Sequence, residues 1–438
     1  MSATEQQFRI TPGGALKGAV RVPGDKSISH RAIMLGALAE GTTRVSGFLG
    51  GADNVATIEA FRAMGVAIEG PDAEGAVVVH GVGRDGLSAP ARPLDLGNSG
   101  TSMRLLCGLL AAQPFSCELR GDASLTRRPM GRVTEPLADM GARIETAEEG
   151  TPPLRIQGGG ALHGIDYRLP VASAQVKSAL LLAGLYADGE TCVTEPAPTR
   201  DHTERMLAGF GYEVARSGPR VCLHGGGRLH ATDIDVPADI SSAAFFLVGA
   251  SIVPGSELLL EHVGINPTRT GVIDILRAMG GDITMENART IGGEPVADLR
   301  VRHAPLRGIT IPEEQVPLAI DEFPALFIAA AVAEGTTRLS GARELRVKEC
   351  DRIQVMADGL ATLGIAAAPT EDGIVIEGGT LGGGTVASHD DHRIAMAFAM
   401  AGSVASGPIT ITDCANVATS FPGFAALAAG VGLGIEAN

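Results

Sequence analysis

The sequence predicts an α/β protein in which one unit of about 70 residues occurs six times. Each unit reads as a turn with glycine, a β-branched strand, a loop, an amphipathic helix and a glycine that precedes another strand. A glycine there fits the left-handed conformation that commonly ends a helix. These closing glycines recur every 68–84 residues, at Gly65, Gly141, Gly211, Gly280, Gly364 and Gly432.

The turn that opens a unit also repeats. Residues 40–47 read EGTTRVSG and residues 334–341 read EGTTRLSG, and Gly189, Gly255 and Gly407 begin three further units in the same way. A repeat protein that only binds a ligand is the alternative interpretation. Short charged segments at unequivalent places in the units favour an enzyme instead.

A chain of 438 residues is too long for one ordinary core, which favours two groups of three units. The chain is expected to cross between the groups near residues 11–24, which are rich in Gly and Pro, and near residues 235–241. We therefore predict one domain at residues 21–237 and a second domain made of residues 1–20 and 238–438. A ligand site is expected in the cleft between the two domains.

The composition excludes several classes of function. A net charge of −15, three tyrosines and no tryptophan argue against nucleic acid or an anionic membrane surface as partners. The longest apolar runs, at residues 179–187 and 323–333, are too short to span a bilayer. Residues 1–9 show no signal peptide, and the six cysteines contain no CxxC pair. We therefore expect a cytoplasmic protein with reduced thiols and with neither disulfides nor a zinc site.

Lysine is scarce in this chain, with four residues against 31 arginines. Lys26, Lys177 and Lys348 all lie in segments that read as sites, so we interpret them as positions where only an amine serves. A lysine ammonium is compact and can transfer a proton, whereas an arginine guanidinium effectively never deprotonates. The alternative explanation is a codon bias towards arginine, with the four lysines remaining at positions without special meaning.

The first of these segments, residues 23–32, begins with a Gly-Asp turn and continues into helix formers. Ser27 and Arg31 are four residues apart and share one face of the predicted helix. With Lys26 beside the free amides of the helix N-terminus, they form a ready anion site. A capped surface helix is the alternative, and no Walker motif occurs in the chain.

Three further segments offer polar groups around predicted helices. Asn98, Gly100 and Thr101 stand ahead of an apolar helix, where backbone amides can cradle an anion, although an ordinary turn fits equally well. Arg128 follows another arginine and precedes a proline, a pattern usually found on solvated surfaces. Residues 173–175, Ser-Ala-Gln, offer hydroxyl and amide donors that suit a phosphate monoester or a sugar-like ring.

Carboxylates and cations converge in the last third of the chain. Asp321 and Glu322 interrupt an apolar run, and an acid against apolar walls favours the neutral form that suits proton transfer. Asp321 could instead cap the following helix. Lys348 and Arg352 repel each other at i,i+4, which favours an anionic ligand between them. Residues 389–393, HDDHR, look like a metal cluster, but consecutive residues rarely converge on one ion, so we expect no metal.

Taken together and in order, these segments resemble the 5-enolpyruvylshikimate-3-phosphate synthase family. The resemblance spans nearly the whole chain and implies two domains, each of three βαβαββ repeats, in the inside-out α/β barrel of the enolpyruvyl transferases. Strings at residues 200–204 (RDHTE) and 266–269 (NPTR) are similar to the family's second sequence class. The residues that match the family's motifs are Gly24, Asp25, Lys26, Ser27, Arg31, Asn98, Gly100, Thr101, Arg128, Pro129, Ser173, Ala174, Gln175, Asp321, Glu322, Lys348, Glu349, Asp351, Arg352, Asp391, His392 and Arg393.

The resemblance implies transfer of the enolpyruvyl (1-carboxyvinyl) group of phosphoenolpyruvate to the 5-hydroxyl of shikimate 3-phosphate. Phosphate would leave by addition and elimination through a tetrahedral intermediate, on the route to chorismate and the aromatic amino acids. No metal or redox cofactor is implied. The implied partners are the two small-molecule substrates, with no nucleic acid and no membrane, and we expect a monomer.

The resemblance also implies roles for site residues. Asp321 would take the proton of the 5-hydroxyl, and Glu349 and Lys26 would handle protons at C3 and around the leaving group. The residues implied for shikimate 3-phosphate are Lys26, Ser27, Arg31, Ser173, Ala174, Gln175, Arg200, Asp321 and Lys348. The residues implied for phosphoenolpyruvate are Lys26, Asn98, Gly100, Thr101, Arg128, Gln175, Arg352 and Arg393.

A homologous family, the UDP-N-acetylglucosamine enolpyruvyl transferases, is the main rival. Its members use a cysteine in the loop before their Arg-Pro pair, where residues 123–127 of this chain contain none. They also carry Lys-Asn near the start, where this chain has Lys26 and Ser27. Both differences favour shikimate 3-phosphate over a nucleotide sugar as the acceptor.

Overall fold

The computed structural model describes residues 6–438 of the chain. Helices and strands alternate along it, as an α/β fold requires. In chain order, the α-helices are α1 (Lys26–Leu38), α2 (Ala52–Ala63), α3 (Gly100–Ala111), α4 (Gly131–Asp139), α5 (Ala174–Gly184), α6 (His202–Gly209), α7 (Ile240–Ile252), α8 (Gly271–Ala278), α9 (Val316–Ala319), α10 (Phe323–Val332), α11 (Arg352–Thr362), α12 (His392–Gly402) and α13 (Phe424–Gly430). Short 3-10 segments lie at Leu125–Arg127, Glu148–Gly150, Glu313–Gln315, Arg343–Val347 and Cys414–Thr419.

The strands are short, and many of them alternate buried and exposed residues, which is the pattern of a sheet with one solvated face. In chain order they are β1 (Phe8–Thr11), β2 (Lys17–Val20), β3 (Ala39–Ser46), β4 (Ala67–Glu69), β5 (Val77–Val82), β6 (Leu94–Asp95), β7 (Cys117–Arg120), β8 (Arg143–Glu145), β9 (Leu154–Gln157), β10 (Asp166–Arg168), β11 (Glu190–Thr194), β12 (Ala215–Ser217), β13 (Arg220–His224), β14 (Leu229–His230), β15 (Ile234–Asp235), β16 (Glu257–Gly264), β17 (Asp282–Ile291), β18 (Glu294–Arg302), β19 (Thr336–Leu339), β20 (Ala367–Pro369), β21 (Ile374–Glu377), β22 (Gly384–Ala387), β23 (Ile409–Thr412) and β24 (Gly434–Ala437).

Contacts divide the described residues into two compact units. The inner-chain unit comprises Gly24–Val236 together with Ile291–Glu294, and the terminal unit comprises the described residues up to Pro23, Pro237–Thr290 and Pro295–Asn438. The predicted boundaries differ from this division at residues 21–23 and 237, which lie in the terminal unit, and at residues 291–294, which lie in the inner-chain unit. Arg205 on α6 donates a 2.9 Å hydrogen bond to the Gly293 carbonyl, and this contact fixes the turn between β17 and β18 in the inner-chain unit.

Each unit contains three sheets, which accounts for the six repeats. The inner-chain sheets have the strand orders β14-β3-β5-β4, with β15 also on β3, then β6-β7-β9-β8 and β10-β11-β13-β12. The terminal-unit sheets have the orders β17-β18-β16-β2, β19-β21-β20 and β22-β23-β1-β24. A parallel pairing joins antiparallel ones in each sheet, and in the β19 sheet isolated bridges from Arg307 and Thr310 supply it.

Three helices lie at the centre of each unit, and their composition explains their position. Helices α1, α3 and α5 of the inner-chain unit, and α7, α10 and α12 of the terminal unit, are buried along nearly their whole length. A helix that is apolar on all sides must be surrounded by protein. Helices α4 and α8, by contrast, bury only one face. Helices inside and sheets outside agree with the predicted α/β fold.

The closing glycines have the left-handed conformation that the sequence predicted for them. All six glycines that follow a helix, at positions 65, 141, 211, 280, 364 and 432, have φ between 80° and 113°. A side chain is disfavoured in that region of backbone space, so glycine is the residue that allows the chain to leave the helix for the next strand.

The central helices begin with polar caps, and this places polar residues at one end of each bundle. Asp25, Ser99 and Ser173 each accept a hydrogen bond from an amide in the first turn of α1, α3 and α5. Asp239 and Asp391 do the same for α7 and α12. The sixth helix, α10, has Glu322 at its N-cap position without a side-chain cap. The alternative role of Asp321 as a capping residue is therefore wrong.

The expectation that every cysteine is a free thiol is wrong for one pair. Cys192 on β11 lies directly opposite Cys222 on β13, with the two Cα atoms 4.1 Å apart, and the two sulfurs form a disulfide. Antiparallel neighbours in direct register bring Cβ atoms close enough to be bridged, and strand register cannot be read from cysteine spacing. Cys107, whose pKa burial raises to about 12, is a free thiol.

No helix among residues 6–438 combines the length and the apolar composition that crossing a bilayer requires.

Candidate active site

Lys26 stands at the start of α1, held by two residues of α2. Its ammonium forms an ion pair with the carboxylate of Asp53, and Asn54 donates a 3.0 Å hydrogen bond to its backbone carbonyl. The Lys26 side chain is 23% exposed, whereas that of Asp53 is 9% exposed. The ammonium is therefore oriented by a buried partner and still reaches solvent, as a group that meets a ligand must.

Arg31 lies one turn further along α1 and is almost fully buried. Its Nε donates to Thr203 Oγ1 at 2.7 Å, Nη2 donates to Ser178 Oγ at 2.8 Å, and Nη1 donates to the Ser27 carbonyl at 2.9 Å. Burial lowers the pKa of Arg31 to about 10, while the carboxylates of Glu204 and Asp25 oppose the shift. The guanidinium thus stays charged at neutral pH in one fixed orientation.

The five residues predicted around the start of α3 are connected to one another. Asn98 Oδ1 accepts from Arg128 Nη2 at 2.7 Å, which brings that arginine to the helix N-terminus. Gln175 Nε2 donates to Thr101 Oγ1 at 3.0 Å, which ties α5 to α3. A Cβ added to Gly100 would lie 3.3 Å from Arg128 Nη1, so the absence of a side chain there gives the arginine room.

Sequence reasoning missed Arg104, which belongs to the same cluster. Its Nη1 donates to Gln175 Oε1 at 3.0 Å and to the Gly100 carbonyl at 3.3 Å. Arg104 lies one turn into α3, so the same i,i+4 spacing that pairs Ser27 with Arg31 could have indicated it. The inner-chain unit thus collects Lys26, Arg31, Arg104 and Arg128 around the starts of its central helices.

The remaining predicted residues of this unit lie around α5. Ser173 caps the helix by accepting from the Val176 amide at 3.3 Å, and Ala174 is its first residue. Arg200 lies near enough to Arg31 for its charge to lower the Arg31 pKa. Like charges held together in this way form a field that favours an anion.

Arg352 organises the site residues of the terminal unit. The side chain is 1% exposed, and its Nε donates to Asp391 Oδ2 at 2.8 Å. Nη2 donates to Glu349 Oε2 at 2.7 Å, and Nη1 lies 3.4 Å from Asp321 Oδ1. Burial disfavours the charged form of Arg352, but Asp391, Glu349 and Asp321 together outweigh it and raise its pKa. The two predicted catalytic carboxylates therefore meet on one guanidinium.

Two expectations about this cluster need correction. Helix α11 begins at Arg352, so Lys348 and Arg352 are not neighbours on a helix. Asp321 Oδ1 lies 3.2 Å from Lys348 Nζ and 3.4 Å from Arg352 Nη1, so a carboxylate of the protein contacts both cations. The surroundings of Asp321 are therefore charged, not the apolar walls that the sequence suggested.

Arg393 completes the terminal-unit cluster. Its Nη1 donates to the Asp321 carbonyl at 3.1 Å and lies 3.9 Å from Glu322 Oε1. Arg269, from the NPTR string, donates to Ser241 Oγ at 2.6 Å, and Ser241 in turn donates to Glu322. Glu322 therefore holds Arg393 and Ser241 in place. The sequence did not predict this role.

Residues 389–393 lead into α12, which begins at His392. Asp391 caps α12 and binds Arg352, while His389 and Asp390 adopt positive φ angles of 51° and 58°. Within the described part of the chain, one group of side chains has metal-ligand spacing: Glu190 with Cys192 and Cys222. Both of these sulfurs are in the disulfide, so they are not available as thiolate ligands.

A cavity of about 480 Å³ in the terminal unit lies away from these charged residues. It is lined by Ile252, Val332 and Ser403, at the C-terminal ends of α7, α10 and α12, and no lining residue carries a charge. The site residues lie at the opposite ends of these helices. An uncharged cavity offers nothing to a phosphorylated ligand, so the basic cluster is the better candidate.

The fold of the chain is that of the enolpyruvyl transferases. The enolpyruvyl transferase NikO from Streptomyces tendae has the same fold, with a TM-score of 0.78 at 19% identity and 99% of each chain covered. The chain belongs to the EPSP synthase (3-phosphoshikimate 1-carboxyvinyltransferase) family, whose model matches residues 10–427.

Relatives within that family are similar over their full length. The 3-phosphoshikimate 1-carboxyvinyltransferase of Alkalilimnicola ehrlichii is 70% identical over 430 residues, which are 98% of this chain and 96% of the relative. That of Methylococcus capsulatus is 70% identical over 431 residues, 98% of each chain. A solved structure of EPSP synthase from Acinetobacter baumannii has a TM-score of 0.91 at 62% identity and covers 99% of this chain and 100% of its own.

Proposed function

We propose how the two clusters perform the reaction of this family. The chain is a 3-phosphoshikimate 1-carboxyvinyltransferase: it transfers the carboxyvinyl group of phosphoenolpyruvate to the 5-hydroxyl of shikimate 3-phosphate and releases phosphate. The observation that carries the residue roles is the Arg352 guanidinium, which joins Asp321 and Glu349 with Lys348 beside them. One hydroxyl proton and one carbon proton must move in this reaction, and two carboxylates stand together where cations can bind the substrates.

Shikimate 3-phosphate is bound by groups that suit its phosphate and its hydroxyls. Ser27 and Ser173 stand at the starts of α1 and α5, where free helix amides and hydroxyls together favour an anion. Lys26, Arg31 and Arg200 supply the positive charge. The other residues of this set are Ala174, Gln175, Asp321 and Lys348.

Phosphoenolpyruvate carries a carboxylate and a phosphate, and guanidinium forks match both groups. Arg128 is held at the start of α3 by Asn98, and Gly100 leaves space beside it. Arg352 and Arg393 supply two further forks, fixed by Asp391 and by the Asp321 carbonyl. The other residues of this set are Lys26, Thr101 and Gln175.

The reaction proceeds by addition and then elimination. In the addition, the 5-oxygen bonds to C2 of phosphoenolpyruvate, Asp321 accepts the hydroxyl proton, and C3 gains a proton to become a methyl group. In the elimination, C3 loses a proton, the C2–C3 double bond forms again, and the bond from C2 to the phosphate oxygen breaks. Glu349 serves the proton at C3, and the Lys26 ammonium serves the leaving group, where a compact amine can donate.

Phosphate release tests the acceptor directly. The protein is mixed with phosphoenolpyruvate and either shikimate 3-phosphate or UDP-N-acetylglucosamine. Release that requires shikimate 3-phosphate is the expected result, and release only with the nucleotide sugar would overturn the assignment. We propose that one chain supplies every site residue, so the same preparation should sediment as a monomer. We also propose that the protein acts in the cytoplasm.

A further inference from the structure

Lys177 is the only lysine of this chain that is fully buried in the described structure, and the mechanism above does not use it. Its side chain is 0% exposed, and Nζ lies 2.9 Å from Glu195 Oε2 and 2.8 Å from Glu204 Oε1. Those two carboxylates are themselves 2% and 6% exposed. Lysine and glutamate are almost never buried without a partner, so this trio is a built feature of the inner-chain unit.

Both carboxylates lead from Lys177 to residues of the shikimate 3-phosphate set. Glu195 Oε2 accepts a 2.6 Å hydrogen bond from Thr199 Oγ1, and Thr199 directly precedes Arg200. Glu204 lies on α6, and its charge is the largest acidic influence on Arg31.

A hydroxyl pair reinforces the connection to Arg31. Thr203, the residue before Glu204, accepts from Arg31 Nε at 2.7 Å, and its oxygen lies 2.7 Å from Ser178 Oγ. Ser178 follows Lys177 on α5 and accepts from Arg31 Nη2. The Arg31 guanidinium thus binds Ser178, the residue after Lys177, and Thr203, the residue before Glu204.

Charges alternate along this network. Arg31 and Lys177 are cations, Glu204 pairs with Lys177 and acts on Arg31 through its charge, and Glu195 is the second carboxylate on Lys177. Four buried charges sum to zero, but well-packed apolar residues of the same volume would cost less to bury. Because this network does not maximise stability, we interpret it as an arrangement that fixes the position of Arg31 and of the segment that leads to Arg200.

We propose that Lys177 is a positioning residue for the subsite that binds the phosphorylated acceptor. Through Glu204 it fixes Arg31, and through Glu195 and Thr199 it fixes the segment that carries Arg200, without reaching the ligand itself. This inference rests on the proposed function, because it concerns the acceptor of that same reaction.

The Lys177→Met variant tests the role by separating the two substrates. The KM for shikimate 3-phosphate should rise about 10- to 100-fold, the scale of a small displacement of binding groups, while kcat and the KM for phosphoenolpyruvate change less than about threefold. Lys17→Met, on the exposed strand β2, is the matched lysine control. Phe61 is buried in α2 and is distant in sequence from Lys177, so Phe61→Leu controls for a general loss of stability. An unchanged ratio of the two KM values in Lys177→Met would overturn the proposal.

Two further variants separate positioning from charge balance. Lys177→Met with Glu195→Gln leaves one buried cation, Arg31, and one buried carboxylate, Glu204, whose charge acts on Arg31, so the unfolding midpoint should recover while the KM for shikimate 3-phosphate stays raised. Recovery of that KM together with the midpoint would reduce Lys177 to a structural role. Thr199→Val replaces the hydroxyl with a methyl group of similar size, so it should disturb the fold less than Lys177→Met and raise the same KM about threefold or more.

The outcome for wild-type protein distinguishes the two proposals. Wild-type protein that is silent with shikimate 3-phosphate would overturn the residue roles and this inference together. If the wild-type protein is active and Thr199→Val has the same ratio of the KM for shikimate 3-phosphate to the KM for phosphoenolpyruvate, this inference alone would be overturned.

Discussion

The Lys26 ammonium forms an ion pair with Asp53, which lies 27 positions further along the chain in the first turn of α2. Asn54 beside it binds the Lys26 carbonyl, so two consecutive residues of α2 fix both the backbone and the side chain of this lysine. The pair leaves the ammonium partly exposed at the start of α1. Its orientation therefore comes from the protein before any substrate binds, which reduces the cost of positioning it in the reaction.

Lys26→Arg should retain the ion pair with Asp53 and lose the reaction. A guanidinium keeps the charge but does not donate a proton at neutral pH, so kcat should fall at least about 100-fold, the contribution typical of acid–base help. Steady-state turnover with both substrates measures the effect, with Lys17→Arg on the exposed strand β2 as the control. Near-native turnover in Lys26→Arg would mean that position 26 needs a charge and not an amine.

Asp321→Asn should separate binding from chemistry. The amide oxygen can stay beside Lys348 and Arg352, but it cannot take the hydroxyl proton, so turnover should fall by at least about 100-fold while shikimate 3-phosphate still binds. Calorimetry gives the dissociation constant, and phosphate release gives the rate. Asp358→Asn, exposed on α11, is the matched control. Lost binding with Asp321→Asn would show that this carboxylate orients the cations instead.

The repeat could be read from the sequence because its signals are local. A glycine that ends a helix and a turn that opens a strand each depend on a few neighbouring residues, and both kinds of signal recur through the chain. The starts of α1, α3 and α5 were visible for the same reason, since Asp25, Ser99 and Ser173 cap the residues directly after them.

Partners that are distant in sequence could not be read in this way. Nothing near Lys26 indicates Asp53, and nothing near Lys177 indicates Glu195 or Glu204, because each pair depends on how helices pack. The error over Lys348 has a related cause. Its repulsion from Arg352 was inferred for a helix that in fact begins only at Arg352, and Asp321, from another segment, lies beside both cations and reduces their repulsion.

Gly100→Ala should weaken phosphoenolpyruvate binding selectively. A Cβ at Gly100 would lie 2.7 Å from Arg104 Nη1 and 3.3 Å from Arg128 Nη1, so both arginine ends must move, which flexible side chains can do without unfolding the protein. We expect the KM for phosphoenolpyruvate to rise about 10-fold and the KM for shikimate 3-phosphate to change less than about threefold. Gly50→Ala, where no atom lies within 4 Å of the added Cβ, is the control. Equal increases in the two KM values would contradict a local effect on Arg128.

His30 makes the stability of the protein depend on pH in a defined direction. The ring is fully buried, with Nδ1 2.8 Å from Thr57 Oγ1, and burial, Lys26 and Arg31 hold its pKa well below the ordinary value of 6.5. The folded protein therefore keeps this histidine neutral where the unfolded chain would protonate it. The contribution is complete above pH 6.5 and is lost as the pH falls below it, by about 1.4 kcal/mol per pH unit.

His30→Gln removes that titration. The unfolding free energy of the variant should fall less steeply than that of the wild type below pH 6.5, by about 1.4 kcal/mol per pH unit, and the two curves should run parallel above it. Urea unfolding at several pH values between about 5 and 8 measures both slopes, with His80→Gln on the exposed part of β5 as the control. Parallel curves over the whole range would show that the pKa of His30 is the same in the folded and the unfolded protein, and that burial, Lys26 and Arg31 do not lower it.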